Sequence, residues 1–461
     1  MRPHSSPSPR AFGPLAALAL VSATALATPA HAVSYGTPTI KLSAAYLSGA
    51  VGATGDPTVT VTVAQSGADA AALTVTASRS SKTSVAATTD VAVAGGAGSR
   101  TVAVTAHARG YTDITLKVTG LGGKTATTTL HYAASPAVRH SADARYPTGA
   151  SDASAAVDVG GGYVLVADDE DNTLRLYDGS ASGAPVRSWD LGGALGADKE
   201  VDIEGAARVG NTVYWTGSLG NNKDGAYRAD RNTVFTTTVS GSGAATSLTF
   251  GGAGHRLRDD LVAWDEAAGD RYGFAHATED GQTPKQVDGF NVEGLEFAPG
   301  SSTTAYVGFR APLVPPAPGG KALIVPVTNM DQVARGTKAE FGTPIELDLG
   351  GLSIRDLRRD DRGRFLILAG SWAADDNSDP YALYSWDGVA GHQPAKVLDL
   401  PTADAGGWES IVAVPDLTAA GARVQLITDD GDADLYGDGV QAKDLSHPEW
   451  QKSRTTWFTL S

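Results

Sequence analysis

Five residues that could do chemistry recur at the head of five apolar runs: Ser154, Glu204, Glu293, Arg355 and Glu409. Their blocks are Asp152-Ala153-Ser154-Ala155, Asp202-Ile203-Glu204-Gly205, Asn291-Val292-Glu293-Gly294, Ile354-Arg355-Asp356-Leu357 and Trp408-Glu409-Ser410. If a repeat gathers these blocks, three carboxylates share one place and raise one another's pKa unless a cation intervenes. Arg355 comes from the same register and Arg310 from a nearby loop, so either can neutralise a glutamate. One reading is a binding mouth for a small polar or anionic ligand, built from Glu204, Glu293, Arg310, Arg355, Glu409 and Ser218. The other is a closed Glu–Arg ring that ties strands together and meets no ligand.

The loops after the second strands add hard oxygen donors: Asp168 and Asp169 in one, Asp429, Asp430 and Asp432 in another. Such donors suit calcium, the one cofactor suggested here. Neither run is a helix-loop-helix calcium loop, since counting from Asp430 puts Leu435 where that loop needs glycine. Hydrolysis is the alternative chemistry. Glu204 and Glu293 could serve as acid and base on a glycoside, and carboxylates beside arginines could handle a phosphoester or another ester. The chain has no Gly-x-Ser-x-Gly elbow and no His-Glu-x-x-His motif. Trp215, Phe309, Trp372 and Trp408 near the same loops could stack on a sugar or pack between strands.

The elements that must position these residues follow from the repeat. Second strands are expected at Tyr163–Ala167, Val213–Gly217, Ala305–Gly308, Phe365–Gly370 and Val424–Thr428, with third strands after each. About four strands per repeat is the pattern of a β-propeller. Five blades are expected. Six is the alternative, because the interval from Glu204 to Glu293 is long. The fifth unit runs out before a fourth strand, and a strand near Ala144–Tyr146 could close the ring. The long interval holds a helical pattern over Leu257–Ala268, with Leu257, Leu261, Val262, Ala263 and Trp264 as the apolar face and Arg258, Asp259, Asp260 and Glu266 opposite.

Residues 33–135 have a different composition, poor in aromatics and rich in Thr and Val alternation, as in Thr58-Val59-Thr60-Val61-Thr62-Val63. Period-two patterning in six or seven short runs predicts a β-sandwich. The expected organisation is therefore all-β: a signal peptide over 1–32, an immunoglobulin-like sandwich over 33–135, a connector over 136–150 and a propeller over 151–461. The signal rests on Arg2 and Arg10, the apolar stretch Phe12–Ala27 and the small-residue site Ala30-His31-Ala32. It predicts a secreted, extracellular protein.

The chain has no cysteine, which excludes disulfides, thiolate metal sites and cysteine nucleophiles. A net charge of −15 over 461 residues argues against nucleic acid as a partner. No later apolar run is long enough to serve as a membrane anchor, and a monomer is expected.

The blocks Val201-Asp202-Ile203-Glu204-Gly205, Tyr214-Trp215-Thr216-Gly217-Ser218, Asn291-Val292-Glu293-Gly294-Leu295, Gly308-Phe309-Arg310-Ala311-Pro312 and Ser353-Ile354-Arg355-Asp356-Leu357 resemble the bacterial domain of unknown function family 3616. The resemblance runs from about Ser151 onward and implies a propeller without specifying an activity. The Asp-x-Glu-Gly block is also similar to phytase-like esterase propellers, which keeps an esterase activity open. Gly110-Tyr111-Thr112-Asp113-Ile114-Thr115-Leu116-Lys117-Val118 resembles immunoglobulin- or cadherin-like bacterial modules, which implies a spacer or an adhesive role. A non-catalytic structural or adhesive protein is thus the third reading.

Overall fold

The computed structural model describes residues 34–137, 143–373, 380–403 and 405–460. The expected signal peptide lies outside the described residues. The architecture is all-β with a minor helical insertion, and the strands form seven sheets.

Two four-stranded sheets come from the N-terminal part. Sheet A orders Thr39–Leu42, Val59–Ala64, Ser99–Val104 and Val91–Ala94; sheet B orders Tyr46–Ala50, Thr125–Ser135, Gly110–Thr119 and Thr74–Ser80. The Thr/Val alternation explains them. In Val59–Ala64 every valine is buried and every intervening residue exposed, because successive side chains leave opposite faces of a strand. Val61 and Val102 of sheet A meet Ile114, Leu116, Val118 and Leu130 of sheet B in one shared core.

The remaining sheets, C to G, are antiparallel, with their strands in chain order. Their first strands are Ala153–Gly160, Ile203–Val209, Asn291–Phe297, Ser353–Arg359 and Gly407–Ala413. Each first strand packs against the first strand of the next sheet, and Gly407–Ala413 packs back on Ala153–Gly160, so the contacts form a closed cycle. The long Glu204–Glu293 interval contains the rest of sheet D and the helices, and no further sheet among the described residues.

Sheet G has three strands. The expected closing strand at Ala144–Tyr146 is reduced to isolated bridges of Arg145 with Thr455 and Thr148 with Lys452. Pro147 interrupts the segment and has no N–H to continue a ladder.

The helix forms over Leu257–Ala267. Leu257 and Leu261 face a core with Phe274, Phe290 and Phe309, as expected. The assignment of Arg258 and Asp260 to the solvent side is corrected: both are buried, while Ala263 is exposed. The loops over the helix present backbone groups that need partners. Asp260 accepts Ala339 N–H at 2.8 Å, and Arg258 donates to the Leu219 and Thr278 carbonyls and the Asn221 side chain.

Candidate functional site

In each of the sheets C to G the first two strands slip register by one residue near the same end. The residue skipped by the pairing is Ser154, Glu204, Glu293, Arg355 or Glu409. The recurring positions are therefore five β-bulges, and a bulge re-aims its side chain out of the normal alternation. Four of those side chains, Glu204 excepted, reach to neighbouring sheets. The Ser154 hydroxyl donates to the Ile203 carbonyl, and Arg355 bridges Glu293 and Glu409.

Four candidates join one buried network. Glu293 accepts from Arg310 Nη1 at 2.9 Å and lies 2.9 Å from Arg355 Nε. Arg355 Nε also donates to Glu409 at 3.1 Å, and Arg310 donates to the Trp372 and Ala373 carbonyls. Arg310 and Arg355 are almost wholly buried. Charges this deeply desolvated persist only when paired and hydrogen-bonded, and these are. On this side the closed Glu–Arg arrangement is realised.

Glu204 is different. Its carboxylate makes no ion pair or hydrogen bond with the described residues. It opens, with Asp169 and Asp202, on a cavity of about 580 Å³. One carboxylate oxygen from each of these three lies within 4.8 Å of the others. Burial pushes the Glu204 carboxyl well above the usual range, and Glu293, Asp202 and Glu409 add to this against the pull of Arg355. Asp169 is raised likewise by burial, then by Glu204, Asp429 and Asp202. Asp202 is raised by burial but restrained by Arg231, 2.8 Å away, and by a hydrogen bond from Ser218. Asp152 in the cavity wall is pushed up to about 7 by burial and then by Asp168.

Two further oxygens mark the cavity. Asp169 Oδ1 and Asn291 Oδ1 are buried without a hydrogen-bond partner. The orientation of the Asn291 amide is fixed by Glu293, which can only accept and takes Nδ2–H at 3.2 Å. Backbone strain concentrates here as well: Asp202 and Leu219 have left-handed φ of 55° and 58°, sparsely populated for residues other than glycine.

These donors fit a calcium-like ion. All are hard oxygens, and two ligands across such an ion at about 2.4 Å each stand about 4.8 Å apart. Among the described residues no histidine lines the cavity, so the donor set does not suit zinc.

The sequence-predicted residues divide as follows. Asp169, Asp429 and Asp432 line the cavity with Glu204; Asp432 also pairs with Lys443 at 2.8 Å. Two expected metal donors stand apart from this cavity's lining. Asp168 accepts the Asp152 and Glu170 N–H groups, stabilising its turn, and Asp430 faces a different cavity. Ser218 is buried and holds Asp202 from behind. The sugar-stacking expectation is also corrected, since Trp215, Phe309 and Trp408 are fully buried in packing and Trp372 contributes its carbonyl to Arg310. Asp202, Asn291 and Asp152 were not singled out as donors. The signal was the repeat itself: each stands two positions before a bulge residue.

The molecule is thus an all-β protein whose cyclically packed sheets carry a neutralised Glu–Arg network beside an open acidic cavity. A family model described as "Protein of unknown function (DUF3616)" matches residues 274–405, shorter than the span from Ser151 onward expected above. No curated protein matches in sequence. Among solved structures, glutaminyl cyclase from Myxococcus xanthus is 13% identical with a TM-score of 0.34, covering 69% of this chain and 97% of that one. The PQQ-bound aldose sugar dehydrogenase from Streptomyces coelicolor is 13% identical with a TM-score of 0.29, covering 70% and 100%. The titin Z1Z2 domains in complex with telethonin are 14% identical with a TM-score of 0.16, covering 46% and 94%. Likeness at this level transfers neither fold nor activity. Among the described residues no helix is long and apolar enough to cross a membrane.

Proposed function

We propose that residues 151–460 form a five-bladed β-propeller beside an immunoglobulin-like sandwich, and that the propeller mouth binds a divalent cation together with a small polar ligand. The cyclic packing of five first strands supports the propeller reading, and the shared core of sheets A and B supports the sandwich. The charged, apolar and small-residue order at the start of the chain supports export, which would place the site where calcium is abundant.

One contrast carries the functional reading. Glu293 and Glu409 lie in ion pairs with arginines, whereas Glu204 has none and crowds against Asp169, whose buried Oδ1 nothing donates to. A cation relieves that repulsion, and its open side takes the ligand. Chelator-treated protein should bind calcium in a calorimetric titration, with its melting temperature rising with calcium concentration. Asp202→Asn with Glu204→Gln should abolish both effects. If calcium, magnesium and manganese all leave the wild type unchanged, the reading fails.

A hydrolytic reading uses the same site, with Glu204, whose carboxyl burial raises above its usual range, as general acid. It requires turnover in a phosphoester, carboxylester and glycoside panel that Glu204→Gln removes.

A further inference from the structure

We propose that the small ligand of the acidic cavity is a neutral saccharide, which meets the bound cation through two adjacent hydroxyls. This rests on the cation-binding reading and names the ligand class. Among the described residues that surround the cavity, Pro284 alone has no polar side-chain atom. None of them is aromatic, so the wall gives an apolar body nothing to pack on. It offers donors and acceptors instead. The Nζ groups of Lys223 and Lys285 make no ion pair or hydrogen bond with the described residues. Arg228 Nη2 and Arg231 Nε are buried without a hydrogen-bond acceptor, and Asn291 Oδ1 and Asp169 Oδ1 without a donor. A hydroxyl both donates and accepts, so a ligand rich in hydroxyls serves both kinds of group with one chemistry.

Charge argues against an anion. In ionised form the described wall sets nine carboxylates against five cationic side chains, Lys223, Arg228, Arg231, Lys285 and Lys443. A divalent cation halves that excess of four and leaves the wall negative, which opposes a phosphate or carboxylate ligand. Charges behind the wall do not reverse the sign. Glu293 and Glu409 balance Arg310 and Arg355, and Arg175 faces both Asp168 and Asp171. The cation's own surroundings are already neutralised: Asp169, Asp202 and Glu204 bring three negative charges, and Arg231 stands 2.8 Å from Asp202. Calcium takes about six to eight oxygen ligands, more than the one oxygen from each of the three clustered carboxylates. The positions left over suit uncharged oxygens, and adjacent hydroxyls of a sugar ring fill two of them at once. A zwitterion fits less well, since its carboxylate would add a fourth negative charge to the same shell.

The test is calorimetry and thermal shift on the full chain, first with calcium alone and then with sugars added to the calcium-loaded protein. The probes are mannose, galactose, fucose and their methyl glycosides; the controls are glycine and the phosphate ester of whichever sugar binds. At least one neutral sugar should bind, its phosphate ester at least about tenfold more weakly, and chelation of calcium should abolish the response. A methyl glycoside that binds as tightly as its free sugar marks the end of a glycan as the source; binding confined to the free sugar marks a free saccharide. Lys223→Met with Lys285→Met removes two exposed donors, so it should fold, bind calcium and hold the sugar at least about fivefold more weakly. Asp202→Asn with Glu204→Gln should lose calcium and sugar together. Calcium binding with no response to any sugar overturns this inference and leaves the cation reading standing, whereas a protein that binds no cation overturns both. The inference also fails if glycine or the phosphate ester binds more tightly than the sugar, or if sugar binding survives chelation.

Discussion

At the scale of single residues, Arg358 joins more of the cyclic array than any bulge residue does. It belongs to the first strand of sheet F, and its guanidinium donates to the Ala156 carbonyl of sheet C, Ala206 of D, Leu295 of E and Ile411 of G. Asp356 balances its charge at 3.4 Å. Five donors in a planar fork make this possible, and a lysine ammonium cannot span the same carbonyls. Arg358→Met should therefore destabilise the protein by about 3–5 kcal/mol, and Arg358→Lys should recover less than half of that. Urea unfolding measures both; a loss under about 1 kcal/mol for the methionine variant would show that the carbonyls find other partners. In sequence Arg358 was invisible, because no other repeat has an arginine at its position. The bulge residues were legible for the opposite reason: their role recurs five times. Their division into paired and unpaired groups was not, since it depends on Arg310 and Arg355 reaching Glu293 and Glu409 but making no bond to Glu204.

At the scale of elements, period-two alternation located most strands of sheets A and B to within a few residues, because one face of each strand is buried and the other wet. The helix shows where polarity alone misleads. Arg258 and Asp260 are charged and buried, while the neighbouring Asp259 is exposed; their burial is decided by distant backbone groups that no local pattern records. Asp260→Ala removes the acceptor for the buried Ala339 N–H and the partner of Arg256. It should destabilise the protein by about 1–3 kcal/mol. Asp259→Ala, one position earlier, should stay within about 0.5 kcal/mol of the wild type. Equal denaturation midpoints for the two variants would refute the burial assigned to Asp260.

At the scale of the whole molecule, the buried carboxyls couple folding to pH in a direction opposite to that of salt-bridged acids. Asp152 and Asp168 are each raised to about 7, chiefly by burial, and Asp169 and Glu204 are also raised. In the unfolded chain such groups ionise near 4. Between about pH 4 and pH 7 the folded state therefore holds more protons than the unfolded state, and stability must fall as pH rises through that window. Lys452, lowered to about 8, binds fewer protons in the folded state only above the window and does not offset the trend. A bound cation reverses it, because coordination requires ionised carboxylates and grows stronger as they lose protons. With chelator present, stability should drop by on the order of 2–4 kcal/mol between pH 5 and pH 7.5. Saturating calcium should recover at pH 7.5 the part of that loss that comes from Asp169, Asp202 and Glu204, and add little at pH 5. Urea titrations at the two pH values, with and without calcium, distinguish the cases. A metal-free protein equally stable at both pH values would mean that the carboxyls of the acidic cavity are already relieved by water or by the chain itself, and the cation would then have no work to do there.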